Sequence, residues 1–284
     1  MSTLETKDLP VASTRVPVEL VNHETKRIDD FVSVEEPLEI RLVYGPITAR
    51  LEQSISVTMR TPGNDHELSQ GFLLGEGIVQ TASDIVGIEH CGPPSPDKGI
   101  HNVVRVELSE SAQFNPDVLL RHTFTTSSCG ICGKTSLEAV NTIVPAYDVV
   151  SFAVSGTHLK ALPERLLKRQ TEFVRTGGLH ASASFDEEGQ ITRLREDVGR
   201  HNALDKLIGS YLHSGISALR QQGLLLSGRA SFELVQKAAV AGIPLVASIG
   251  PPSSLAIELA SSHDVTLVGF LKHDRFNVYS GRVI

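Results

Sequence analysis

No tryptophan occurs in the 284 residues, methionine occurs twice and cysteine three times, and aromatic residues make up only 5% of the chain. A core must therefore be assembled from Val, Leu, Ile and Ala, and 284 residues suffice for one large or two modest domains. Three cysteines are too few for a disulfide framework and, in a reducing compartment, point to thiol chemistry instead. No run approaches the roughly 18 apolar residues of a membrane span, and Met1 to Pro10 is too charged for a signal peptide, so a cytoplasmic protein without membrane contact is expected. Positive charge is also short. With 26 Lys and Arg against 33 Asp and Glu, the formal charge is -7. That disfavours nonspecific nucleic-acid binding, so any phosphate-bearing ligand must be met by a local cluster of basic residues and backbone amides.

Two of the three cysteines fall together in Ser127-Ser128-Cys129-Gly130-Ile131-Cys132-Gly133. Glycines at 130 and 133 allow tight turns that hold thiols out from the surface. The following Lys134 to Val140, with apolar Leu137, Val140 and Ile143, has helical spacing. The pair would then stand at a helix N-terminus beside Lys134, and both features favour thiolate, the nucleophilic form. Four readings fit. A structural zinc site needs four ligands, and the remaining cysteine is Cys91, next to His90. A thioredoxin-type motif needs a preceding buried strand, which Arg121 to Thr126 does not offer. An idle structural loop is the third, and a nucleophilic or sulfur-carrying loop the fourth. Cys91, at a strand end, is expected to be a small buried residue.

The chain opens with a charged, aperiodic stretch over 1–33, expected to be a mobile or loosely packed lead-in. Strands are expected at Leu38–Tyr44 and Ser54–Arg60, then a helix from Asn64 or Asp65 to Gly75 with Leu68, Phe72 and Leu73 buried, then strands Ile85–His90 and Val103–Leu108. A helix with Leu159, Leu162, Leu166 and Leu167 on one side follows, and Thr176-Gly177-Gly178 breaks it. Next come a hairpin, Ala181–Phe185 with Gln190–Arg195, and a regular alternation. Helices near Ala203–Leu212, Ala230–Ala241 and Ser254–Ser261 separate strands Gly223–Leu226, Pro244–Ser248 and Val265–Phe270. Short, continuously apolar strands between helices imply a sheet covered on both faces.

Three turns would lie where such sheets present ligands, beyond strand C-terminal ends. Glu196-Asp197-Val198-Gly199-Arg200-His201 reads equally as an anion-binding turn and as a salt-bridged helix cap. Ser227-Gly228-Arg229-Ala230-Ser231 repeats the pattern without being a Walker loop. Phe270-Leu271-Lys272-His273-Asp274-Arg275 is a basic loop that, on its residues alone, is more often a solvated face. His180, His201 and His273 are candidate proton carriers, with a hydrogen-bonded structural role favoured for His180. A deaminase would need His-x-Glu and Pro-Cys-x-x-Cys; His180-Ala181-Ser182 has serine in place of the glutamate, and the cysteine pair precedes that histidine, so deamination is disfavoured.

Cys129 to Gly133, the run Glu196 to Lys206, the run Ser227 to Lys237 and Leu267-Val268-Gly269-Phe270 together resemble, in order, the FdhD/NarQ family of formate dehydrogenase accessory sulfurtransferases. The resemblance implies an α+β N-terminal domain followed by a three-layer α/β C-terminal domain of cytidine-deaminase-like type, here divided as lead-in 1–33, N-terminal domain 34–124, cysteine loop and helix 125–145, and C-terminal domain 146–284. It implies a cysteine persulfide on Cys129, with Cys132 relaying the sulfur or expelling it as sulfide by closing a disulfide. The sulfur would come from a cysteine desulfurase and pass to the bis-molybdopterin guanine dinucleotide form of the molybdenum cofactor, bound as substrate through Phe270, Leu271, Lys272, His273, Asp274 and Arg275. The family's Lys-Pro-Gly-Arg is replaced here by Lys272-His273-Asp274-Arg275, which retains both cations. A molybdenum- or tungsten-dependent formate dehydrogenase as client and a homodimer are implied too. The rival expectations are a cofactor chaperone that transfers no sulfur and a zinc-dependent hydrolase.

Overall fold

The computed structural model describes residues 12–112, 144–145, 147 and 152–284. The segment expected to be an aperiodic lead-in is instead a hairpin, β1 (Ser13–Val21) paired antiparallel with β2 (Thr25–Ser33). Most of its side chains are exposed, so neither face carries the apolar alternation that marks a core strand.

A four-stranded sheet follows, in the order β4-β3-β6-β5, from β3 (Glu36–Tyr44), β4 (Leu51–Arg60), β5 (Ile85–His90) and β6 (Val103–Leu108). Along β3 and β6 the residues alternate. Leu38, Ile40, Leu42, Val104, Val106 and Leu108 are buried on one face. Glu39, Arg41, Glu52, Arg105 and Glu107 pair with one another on the other, as expected of a sheet wetted on one side. Cys91, just past β5, is partly exposed rather than buried, its amide bonded to Val103 O at 3.0 Å. The sequence puts it at the strand's outer end, where the core no longer covers it.

Helix α1 (Asp65–Gly75) begins after Asn64, which takes a left-handed φ of 58° and makes no side-chain cap. The expected cap is absent because Asn64 serves the tight turn instead. A single helix was expected across 159–173. The chain instead forms α2 (Gly156–Arg169), with Pro163 inside it, and a short α3 (Thr171–Thr176), separated at Gln170.

The second sheet has the order β12-β11-β10-β9-β7-β8, from β7 (His180–Phe185), β8 (Ile191–Asp197), β9 (Gly223–Leu226), β10 (Leu245–Ser248), β11 (Thr266–Gly269) and β12 (Asn277–Ser280). Strands β9, β10 and β11 are mutually parallel, β7 runs against β8 and β9, and β12 is an antiparallel edge the sequence reading missed. Between the strands lie α4 (Arg200–Gly215), α5 (Phe232–Val240) and α6 (Ser254–Ser262). Alternate residues of the parallel strands enter different clusters. Leu225, Leu245, Ala247 and Val268 meet Leu159, Leu162 and Leu166 of α2. Leu224, Leu226, Val246 and Leu267 join α4, α5, α6, α1 and the inner face of the first sheet.

One apolar core therefore spans both sheets, with α1 packed directly on α4. That contact depends on two glycines. A Cβ on Gly71 would stand 1.9 Å from Asp205 O, and one on Gly209 would stand 1.8 Å from Glu67 O. The helix backbones touch where no side chain fits.

Candidate functional site

The parallel directions of β9, β10 and β11 bring their C-terminal ends to one edge, joined there by the end of β8 and the start of β7. The loops beyond the strands are zipped together. Gly250 N donates to Gly228 O at 2.9 Å, Phe270 N to Gly250 O at 3.0 Å, and Leu271 N to Ser248 O at 3.0 Å. An isolated parallel bridge also links Ala230 to Pro252. The three turns picked out in the sequence thus share an edge, as expected, and all contribute cations.

The turn at 197–201 is held from below. Asp197, fully buried, accepts from Thr61 N (3.1 Å), Lys206 Nζ (2.7 Å), Gly199 N (2.8 Å) and Asn202 Nδ2 (3.1 Å). Asn202 also donates to Met59 O and accepts from Thr58, while Lys206 donates to Thr61 O and Thr61 Oγ1 accepts from Val198 N. The two readings of this segment are thus both realised at different depths: Asp197 is the buried ionic anchor, and Arg200 and His201 emerge at the edge. The anchor was missed in the sequence, although Asn202, Asp205 and Lys206 standing among apolar neighbours on α4 are its visible trace.

His201 Nε2 lies 2.8 Å from Glu233 Oε2, and this contact holds the Glu233 carboxyl below its ordinary value. His180 is half-buried. Burial, then the nearby Arg200, push its pKa down, with Arg229 and His201 adding to the effect and Asp197 opposing it. Its ring makes no hydrogen bond among the described residues, so the expected hydrogen-bonded structural role is not seen there. A Cβ at Gly228 would stand 3.4 Å from His180 Nδ1.

The third turn is closed by Lys272 N donating to Arg275 O at 2.8 Å. Leu271 is buried at 1% exposure and anchors it, while Lys272, His273, Asp274 and Arg275 are exposed, with His273 and Asp274 4.0 Å apart. Phe270 takes a φ of 51°, a conformation bulky residues rarely adopt, and is 41% exposed. Strain of that kind concentrates at ligand sites. A large apolar side chain offered beside Lys272 and Arg275 suits a ligand with an aromatic ring and phosphates. Cys129, Cys132 and Lys134 lie outside the described residues, so their place relative to this edge does not enter the geometry. Among the described residues no group of three or more His, Cys, Asp or Glu side chains is arranged to hold a metal ion.

Cation-bearing turns gathered beyond parallel strands define an α/β protein with a basic sheet edge, and sequence comparison makes the assignment specific. A family profile described as the FdhD/NarQ family matches residues 34–283. The sulfur carrier protein FdhD of Streptomyces coelicolor is 47% identical over 256 residues, covering 89% of this chain and 88% of that protein. Its namesake in Mycobacterium tuberculosis is 47% identical over 257 residues, 88% and 89% of the two chains. That of Sulfurisphaera tokodaii is 40% identical over 267 residues, 94% and 96%. A crystal structure described as a formate dehydrogenase accessory protein from Desulfotalea psychrophila superposes with a TM-score of 0.70 at 23% identity, covering 96% of this chain and all of that one, and so shares the fold. The chain belongs to the FdhD/NarQ family.

Proposed function

We propose that this chain is a sulfurtransferase serving formate dehydrogenase, with Cys129 as the sulfur-carrying thiol. The support is the family match across residues 34–283, which contains Cys129-Gly130-Ile131-Cys132-Gly133, and the name sulfur carrier protein borne by the relatives. In this reading a thiolate at Cys129 attacks the terminal sulfur of a cysteine desulfurase persulfide. A new S–S bond forms on Cys129, the donor's S–S bond breaks, and the donor cysteine leaves as thiolate. Cys132 then takes the sulfur on, or closes a disulfide with Cys129. The second route releases the sulfur as sulfide, the dithiol supplying the two electrons.

The acceptor is the molybdenum cofactor in its bis-molybdopterin guanine dinucleotide form, bound as substrate. Phe270 to Arg275 are the residues that would hold it, Phe270 against a ring and Lys272 and Arg275 against phosphate. The cations along the edge that make no ion pair among the described residues fit such a group. The C-terminal sheet is read as cytidine-deaminase-like, supported by the strand order β8-β7-β9-β10-β11 with β7 reversed. Ser182 occupies the glutamate position, fully buried with its hydroxyl unpartnered among the described residues, which removes the proton-moving group of deamination. A client formate dehydrogenase, a homodimer and a cytoplasmic location complete the proposal; no described helix is long and apolar enough to cross a membrane.

Mass spectrometry after incubation with a desulfurase and cysteine tests the chemistry. The chain should gain about 32 Da per sulfur, and Cys129→Ala should gain none while keeping its fold. A Cys129→Ala variant that still loads sulfur and activates formate dehydrogenase would refute the mechanism. A wild-type chain that binds cofactor but never gains mass would make it a chaperone instead.

A further inference from the structure

The charges at the sheet edge do not balance. Asp197 is paired with Lys206 at 2.7 Å, and Glu233 is in contact with His201 at 2.8 Å. Arg200 and Arg229 form no ion pair and no hydrogen bond among the described residues. Elsewhere Arg41, Arg60, Arg105 and Arg195 each hold a carboxylate. The two arise from adjacent turns, Arg200 opening α4 after β8 and Arg229 following β9. Neither α4 nor α5 has a side-chain cap, which leaves first-turn amides at both helix starts. Ser231 is the residue before α5, and its Oγ is buried with no hydrogen-bond partner among the described residues. A hydroxyl sealed from water and unpaired costs free energy unless a ligand supplies the partner. Arg200 and Arg229 both lie close enough to His180 to lower its pKa, so the two cations converge on one imidazole between the turns.

We infer that Arg200, Arg229 and the Ser231 hydroxyl form a diphosphate-binding subsite between the two turns, distinct from the Lys272 to Arg275 turn. It rests on the proposed function only in that a nucleotide cofactor would bring such a diphosphate; free pyrophosphate carries the same chemistry. Two guanidinium forks match the non-bridging oxygens of a diphosphate in a way single ammonium groups do not. The buried anchor at Asp197 fixes the backbone from which Arg200 projects, so the fork is pre-positioned.

Titration calorimetry of the full chain with inorganic pyrophosphate, and separately with GDP, tests this. Pyrophosphate should bind, and Arg200→Gln and Arg229→Gln should each weaken it about tenfold or more, with Ser231→Ala costing about threefold. Arg27→Gln, on the exposed β1–β2 hairpin, should leave binding unchanged. No pyrophosphate binding, binding insensitive to Arg200→Gln and Arg229→Gln, or an equal loss in Arg27→Gln would each overturn the subsite. If GDP binds with an affinity that Arg200→Gln and Arg229→Gln do not alter, the subsite is wrong while the cofactor reading survives. If pyrophosphate responds as expected but GDP binds no more tightly, the subsite stands and the guanine-nucleotide component of the proposed function fails.

Discussion

Replacing Asp197 by Asn is nearly isosteric, yet it should be among the most damaging single changes in the chain. Both carboxylate oxygens face only donors: Thr61 N–H and Lys206 Nζ on one side, Gly199 N–H and Asn202 Nδ2 on the other. Whichever way an asparagine amide is turned, its NH2 meets two donors, and the Lys206 ammonium, 2% exposed, loses its only carboxylate among the described residues. Stranding one partner of a buried pair costs about 3–5 kcal/mol. Solvent does not dilute this estimate, because both groups are sealed from water. For a chain of this size the loss corresponds to a fall in Tm on the order of 10 °C. Urea unfolding followed by circular dichroism measures it. Adding Lys206→Met should recover some of the loss, since the stranded charge goes with it. A cost below about 1 kcal/mol for Asp197→Asn, or a double variant no better than the single, would show that the carboxylate is not the anchor described.

Two further predictions concern the frame. Gly209→Ala should destabilise by about 2 kcal/mol or more, because a Cβ 1.8 Å from Glu67 O must push α1 and α4 away from each other, outweighing the roughly 1 kcal/mol gain in helix propensity. Gly87→Ala, where the nearest atom would be at 3.7 Å, should be close to neutral in the same melts. Asp65 contributes to the acid limb of the stability curve. Burial would raise its pKa, but hydrogen bonds from His90 and Arg60 together with the guanidinium charge overcome this and hold it at about 2. A depressed carboxylate contributes stability that is present above its unfolded pKa and lost as pH falls through the folded one, so about 2 kcal/mol should disappear between roughly pH 4 and pH 2. Unfolding free energies across that window should steepen with acid in the wild type, and Asp65→Asn should flatten the slope there.

Local pattern carried much of the architecture. Strands β5, β6 and β9 fall where their apolar runs put them, and the alternating helices and strands after residue 200 announce a sheet covered on both faces. The three turns, the basic loop at Lys272 to Arg275 among them, are legible because their composition is written in adjacent residues. The hairpin β1–β2 was hidden because both its faces are largely exposed, so no burial periodicity marks it. Cys91 is partly exposed because only the packed sheet decides which strand end the core reaches.

What tertiary structure alone decided is pairing between distant residues. The sequence names Asp197 and Lys206, but that Thr61, over a hundred residues earlier, closes the cage around them depends on how the two sheets dock. Gly71 and Gly209 are ordinary helix glycines until the helices cross and leave no room for a Cβ. Likewise, that Arg200 and Arg229 make no ion pair or hydrogen bond among the described residues, while Asp197 is held by Lys206 and Glu233 touches His201, is visible only once the turns are folded side by side. Composition and periodicity report what each segment prefers by itself. Charge balance and close packing belong to pairs of segments, and only the folded chain brings those together.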